Sequence, residues 1–193
     1  MIAYLMLRAR ALLDRTRVLD FLPLLATRLY LVPVFWMAGT QKLGHFESTV
    51  EWFGNPEWGL GLPFPPVMAA LAGGTEVVGA IALLLGLGVR WISLPLMVTM
   101  IVAIATVHWE NGWNAIASSA NPEIAERLER ARAILQEYGN YDWLTAKGQF
   151  VILQNGVEFA VTYLIMLGVL FFFGAGRWVS IDHWVARWLD SRA

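Results

Sequence analysis

The chain has 193 residues, 58% of them hydrophobic and only 15% charged, with a formal net charge of -1 and no cysteine. Typical soluble domains carry about 25% charged residues, so this composition belongs to a membrane chain. The balance excludes a strongly basic nucleic-acid binder, the length leaves no room for a catalytic domain beside membrane spans, and the lack of cysteine excludes disulfides, thiol redox centres and Cys-ligated metal clusters.

The first twenty residues are interrupted by Arg8, Arg10, Asp14, Arg15 and Arg17, so no cleavable signal is expected there. Ile2, Leu5, Met6, Ala9, Leu12 and Leu13 share one helical face with arginines elsewhere, which predicts a helix lying in the membrane interface. Four later segments reach the roughly 20 apolar residues that a hydrocarbon core requires: 21–43, 67–88, 91–108 and 149–173. The expected fold is all-α, an integral membrane four-helix bundle forming one domain over 1–193, with 174–193 as a cytoplasmic tail.

Two longer connections separate the spans. The first, 44–66, is rich in Gly, Pro and Trp, with Asn55-Pro56 and Pro63-Phe64-Pro65-Pro66 as turn signals, and predicts an ordered but irregular lid. In the second, 109–148, Asn121 is an N-cap with Pro122 at the first helical position, and Gly139 closes the segment. Ile124, Leu128, Ala131, Leu135 and Tyr138 repeat at helical spacing, giving one apolar stripe on a charged helix that lies on the bundle's outer surface or on a partner. Trp52, Trp58, Trp109, Trp113 and Trp143 belong to the same rim, as interfacial aromatics do.

Arg8, Arg10, Arg15, Arg17, Arg90, Arg177, Arg187 and Arg192 fall on one side of the predicted spans. The two connections hold Arg127, Arg130, Arg132 and Lys147 against nine acids. The positive-inside rule then puts both termini in the cytoplasm and the chain in a cytoplasmic, or inner, membrane.

Charges within the spans are the candidate site, because a charge at membrane depth costs about 2.5–3.5 kcal/mol on insertion scales. Glu76 has Ala72, Gly73, Gly79 and Ala80 one turn away, all small, so it points into the bundle. Arg28, Val32, Phe35, Gly39 and Lys42 share one face of the first span, and Gln154, Asn155, Glu158 and Thr162 form a polar stripe on the fourth. With these boundaries Glu76 and Glu158 lie at one level, and Arg28, the two carboxylates and Lys42 stack with charges summing to zero.

Two acids within reach of each other do not readily both ionise, which equips the site to exchange protons with a quinone or another small redox substrate. The expected catalytic set is Glu76, Glu158, Arg28 and Lys42, with Asn155, Gln154, His108, Phe35 and Trp36 lining a substrate or quinone site. Quinone is the expected cofactor; no metal or nucleotide site is evident. The same charges serve equally well as structural glue that fixes helix register. His108 and His45 near the outer rim are proton donors or headgroup ligands, or else ordinary interfacial histidines.

The stretch from Arg28 through Phe35 to Ala38-Gly39-Thr40-Gln41-Lys42-Leu43 is followed by Thr75-Glu76-Val77-Val78-Gly79-Ala80 running on to Leu87, with Arg90 after it. His108 then follows the third span, and Gly174-Ala175-Gly176-Arg177-Trp178-Val179-Ser180-Ile181-Asp182 follows the fourth. In order and spacing these pieces resemble the DoxX-like membrane proteins. The resemblance implies a four-helix protein of the redox-associated DoxX and MauE-like group, whose members include the membrane subunit of thiosulfate:quinone oxidoreductase. It places Lys42 and Glu76 at the family's marked positions, Arg28 at its first-span arginine, and Ser180 and Asp182 in its closing motif. The segment 109–148 exceeds a minimal member.

Three functions stay open: a quinone-interacting redox subunit, a non-catalytic partner or scaffold that docks a redox enzyme on the outer face, and a carrier for a small anion, sulfur or metal species. The bilayer is a partner in all three. Small-residue faces also suit a homodimer.

Overall fold

The structure, a computed structural model, describes residues 1–192 apart from the side chains of residues 2 and 3. The side chain of Ile2, assigned above to the interfacial face, and the last residue of the tail therefore lie outside the described residues. The chain opens with helix α1 (Ile2–Arg15) and a 3-10 turn, Thr16–Leu19. Leu5, Met6, Leu12 and Leu13 of α1 are exposed, as are Arg8, Arg10 and Arg15, so the protein covers neither side of this helix.

Three of the predicted spans become helices long enough to cross a bilayer: α2 (Phe21–Gly44), α4 (Pro65–Leu85) and the segment Val89–Asn111, which starts as α5 (Val89–Ala103). Only 17%, 33% and 17% of their apolar windows are buried inside the protein. Most of that surface faces outward, an arrangement that lipid satisfies and water does not. The chain is thus an all-α, multi-pass membrane protein. The third segment does not stay α-helical; it widens into a π-turn at Ile104–His108 and tightens into a 3-10 turn at Trp109–Asn111.

Two expectations need correction. The first connection contains a nine-residue helix, α3 (Phe46–Gly54), which buries Phe53; Phe46, Val50 and Phe53 give it an apolar face at spacings of four and three. The fourth predicted span is shorter than 149–173. Helix α8 covers Glu158–Phe173, 16 residues or about 24 Å at 1.5 Å per residue. Residues 149–157 run as irregular chain, broken where Asn155 adopts a left-handed φ of 59° before Gly156.

The chain divides into two compact units. The first holds Met1–Met100 and Tyr163–Ala193. Its core joins Leu31 and Phe35 of α2, Ala80 and Leu83 of α4, Val89, Leu96 and Met100 of the third segment, and Leu167 and Leu170 of α8. The start of α2 meets the end of α4 while Lys42 near the end of α2 meets Glu76, so the two helices run antiparallel. Close approach is possible because the contact is made by glycine. A Cβ on Gly39 would stand 2.9 Å from both the Glu76 Cβ and the Gly73 carbonyl oxygen.

The second unit, Ile101–Thr162, contains the amphipathic helix α6 (Pro122–Tyr138) and the short α7 (Tyr141–Thr145). Asn121 caps α6 by accepting from the Glu123 N–H, with Pro122 in the first turn and Gly139 after the last, as the sequence predicts. Ile124, Leu128 and Leu135 are half-buried, but Ala131 and Tyr138 are exposed, and Arg132 turns inward in place of Ala131 to donate to the Phe150 carbonyl. Residues 112–117 and 152–158 are zipped together by backbone bonds, from Ala117 N–H to Ile152 O through Val157 N–H to Gly112 O.

The tail is also helical. Helix α9 (Ile181–Asp190) follows a cap in which Ser180 Oγ accepts from the His183 N–H.

Candidate functional site

Three groups of polar side chains stand out. The first is an ion pair between spans. Lys42 Nζ donates to both carboxylate oxygens of Glu76, at 2.9 and 2.7 Å. The Glu76 side chain is 5% exposed and that of Lys42 25%, so the carboxylate is sealed between helices while the lysine retains a route outward along its stem. Gly39, one turn before Lys42, and Gly73, one turn before Glu76, supply the closeness that a bidentate contact needs.

The second group surrounds Arg28, which is 1% exposed and forms no ion pair within contact distance among the described residues. Its Nε donates to Leu83 O at 2.8 Å and Nη2 to Leu84 O at 3.1 Å, while Nη1 donates to Ala175 O at 2.8 Å and Val179 O at 2.9 Å. The first two carbonyls end α4, where backbone acceptors lack intrahelical partners and the helix dipole is negative. Four carbonyls and a helix terminus thus hold the buried cation directly, and the Asp182 carboxylate adds attraction from a distance. The planar guanidinium fork suits this task as an ammonium would not.

Gly86 makes the arrangement possible. It turns left-handed, with φ +65°, and its N–H bonds back to Leu83 O while Leu87 N–H reaches Ala82 O, ending α4 in a Schellman turn. A Cβ there would stand 2.7 Å from Arg28 Nη2. Beyond this turn the Asp182 carboxylate accepts from the N–H groups of Gly88, at 2.6 Å, and Val89, at 3.0 Å. An acid therefore sits at the positive end of α5, across a three-residue link from the negative end of α4 that holds the guanidinium.

This overturns the predicted stack of four charges. Arg28 bonds to α4 seven and eight residues beyond Glu76, roughly 10–12 Å along the helix at 1.5 Å per residue. Lys42 and Glu76 pair with each other, and Arg28 serves the backbone. The polar stripe is corrected too. Glu158 is the first residue of α8 rather than a mid-span group, and Gln154 and Asn155 precede the helix.

The third group lies in the second unit. His108 Nδ1 stands 2.8 Å from the Asn155 carbonyl, which can only accept, so that nitrogen carries the proton. Asn111 Nδ2 donates to Val107 O and Asn155 O, and Gln154 Nε2 donates to Asn111 O. The Glu158 carboxylate accepts from the Ala115 N–H at 3.0 Å. His108, Gln154, Asn155 and Glu158 are thereby joined to one loop structure at the end of the third segment.

Of the two aromatic candidates, Phe35 is fully buried in the first unit's core, and its neighbour Trp36 is 47% exposed on the outward side of α2. They do not form one wall. His45, 3.2 Å from the Gln41 carbonyl, lies at the junction of α2 and α3.

Membrane-crossing helices, a buried lysine–glutamate pair and an arginine-capped helix end define a multi-pass membrane protein with charge stored inside its spans. The family model described as DoxX matches residues 23–109, a stretch that contains Arg28, Lys42, Glu76 and Gly86. Over that stretch the chain is similar to the DoxX membrane proteins. No curated protein and no solved structure matches it.

Proposed function

We propose that this protein is a quinone-interacting, redox-associated membrane subunit whose proton-handling centre is the Lys42–Glu76 pair. The observation that carries the reading is the bidentate ion pair sealed between two membrane-spanning helices. Besides fixing helix register, this pair can hold a proton in two places: on the Lys42 amine with Glu76 ionised, or on Glu76 with the amine neutral. A quinone that takes up two electrons also takes up two protons. Electrons would come from a partner protein, and the pair would pass protons one at a time.

The four-span arrangement, with α8 as a short fourth crossing and both termini cytoplasmic in an inner membrane, is part of the same proposal. It rests on the arginine-rich ends and the acid-rich connections. A redox partner would dock on the outer side, where α6 leaves Ile134 and Tyr138 exposed. A homodimer is compatible with the outward apolar surface of the spans.

The test is quinone extraction and mass spectrometry after mild-detergent purification. Retention of quinone above the membrane background by the wild-type protein, lowered in a folded Lys42→Met/Glu76→Gln double variant, supports the proposal. Wild-type protein free of quinone but carrying a co-purified soluble redox enzyme would replace it with the scaffold reading.

A further inference from the structure

Helix α9 presents a surface that the ion pair does not use. Its orientation is fixed at the first turn: the Asp182 carboxylate holds Gly88 and Val89, the Asp182 N–H donates to Gly86 O, and the His183 ring stands 5.8 Å from that of Trp178 and 5.3 Å from that of Trp184. At helical spacing Ile181, Trp184, Val185 and Trp188 fall within a sector of about 100°, with Leu189 on its border. All five are exposed; the two tryptophans are 53% and 52% so.

Something of matching chemistry covers such a face. The first turn of α9 is bonded to Gly86, Gly88 and Val89, the link between two apolar spans, so the helix lies at the level where those spans leave the hydrocarbon. Its surface is thus continuous with the lipid-facing surface of the spans. The Arg187 guanidinium lies 5.7 Å over the Trp184 ring and that of Arg192 4.0 Å over the Trp188 ring, which places cations beside aromatics as the headgroup region favours. Arg177 ties this tail to Asp20 at the start of α2, close in sequence to Arg8, Arg10, Arg15 and Arg17, so the whole end of the unit is cationic.

We propose that α9 is an interfacial anchor that lies in the plane of an anionic leaflet, with Trp184, Val185 and Trp188 at the acyl boundary and Arg187 and Arg192 on phospholipid phosphates. The helix then ties the Gly86–Gly88 turn to the membrane surface, since Asp182 belongs to both.

The cysteine-free sequence makes the test direct. Spin labels are attached at Val185→Cys, on the apolar side, and Asp190→Cys, opposite, in the full chain reconstituted into phosphatidylcholine vesicles with and without a quarter of phosphatidylglycerol. With phosphatidylglycerol, the label at 185 should be more accessible to oxygen than to a water-soluble nickel complex, and the label at 190 the reverse. Arg187→Gln and Arg192→Gln should each lower the ratio of immersed to aqueous spectral components by about fivefold, the effect of one basic residue near an anionic surface. Labels equally open to nickel at both positions would overturn the proposal. So would labels shielded from both reagents with spin–spin broadening, which marks a second copy on this face. Equal immersion in vesicles lacking phosphatidylglycerol would overturn the headgroup contact.

Discussion

The α2–α4 contact buries a cation at each end and satisfies the two in opposite ways. Lys42 is neutralised by a carboxylate, whereas Arg28 is held by four backbone carbonyls at a helix terminus. An ion pair can change its charge state by moving a proton, and its members can be exchanged together for neutral residues. A guanidinium capping backbone has neither freedom, because the carbonyls are present whatever the side chains. On the proposed function, proton handling falls to the lysine end, while the arginine end is architecture.

Substitutions at Arg28 test this contrast most severely. Arg28→Ala takes the side-chain donor from four carbonyls, of which Leu83 O keeps the Gly86 N–H, and each one left buried and unpaired costs about 1–3 kcal/mol, so little folded protein should survive detergent extraction. Arg28→Lys should rescue little, since an ammonium cannot reproduce the fork, and Gly86→Ala should be nearly as damaging. Thermal unfolding and monodisperse yield measure all three, and a wild-type-like Arg28→Ala would remove the architectural role.

At the lysine end, Lys42→Met leaves a sealed carboxylate without its cation and should cost about 3–5 kcal/mol. Glu76→Gln should cost less, because Lys42 is a quarter exposed and can swing toward water. The Lys42→Met/Glu76→Gln double variant should regain most of the lost stability while failing in quinone retention. Should the double variant be as unstable as Lys42→Met, the pair would be architecture as well.

Glu158→Ala removes a charged acceptor from the Ala115 N–H and should cost about 1.5–3 kcal/mol, seen in faster amide exchange at Ala115. Glu158→Gln keeps an acceptor and should lose less. The smallest effect belongs to the outward face: Trp36→Leu or Val78→Leu should shift stability by no more than about 0.5 kcal/mol in the same unfolding assay.

The first three spans were legible because hydropathy summed over twenty residues is insensitive to detail. The Asn121, Pro122 and Gly139 punctuation of α6 was legible because caps are local chemistry. The same summation hid the start of α8: Val151, Ile152, Leu153 and Val157 keep the average apolar, although Asn155-Gly156 is a turn signal that would have marked the break. Glu76 was legible as a buried charge because of the small residues around it, but Lys42 was read only as one member of a four-charge stack, and its exclusive pairing with Glu76 was not legible. The partners of Arg28 were not legible, because backbone carbonyls leave no mark in a sequence; Gly86 and Gly88, flanking a single leucine, were the nearest trace. Asp182, known only through resemblance, proves to hold the N-terminus of α5.

The link between α4 and α5 is only Gly86, Leu87 and Gly88. So short a connection ties the two helices into a single hairpin. The cost of placing Glu76 among hydrocarbon is therefore shared by the apolar surface of two arms and by the lysine that α2 sets against it.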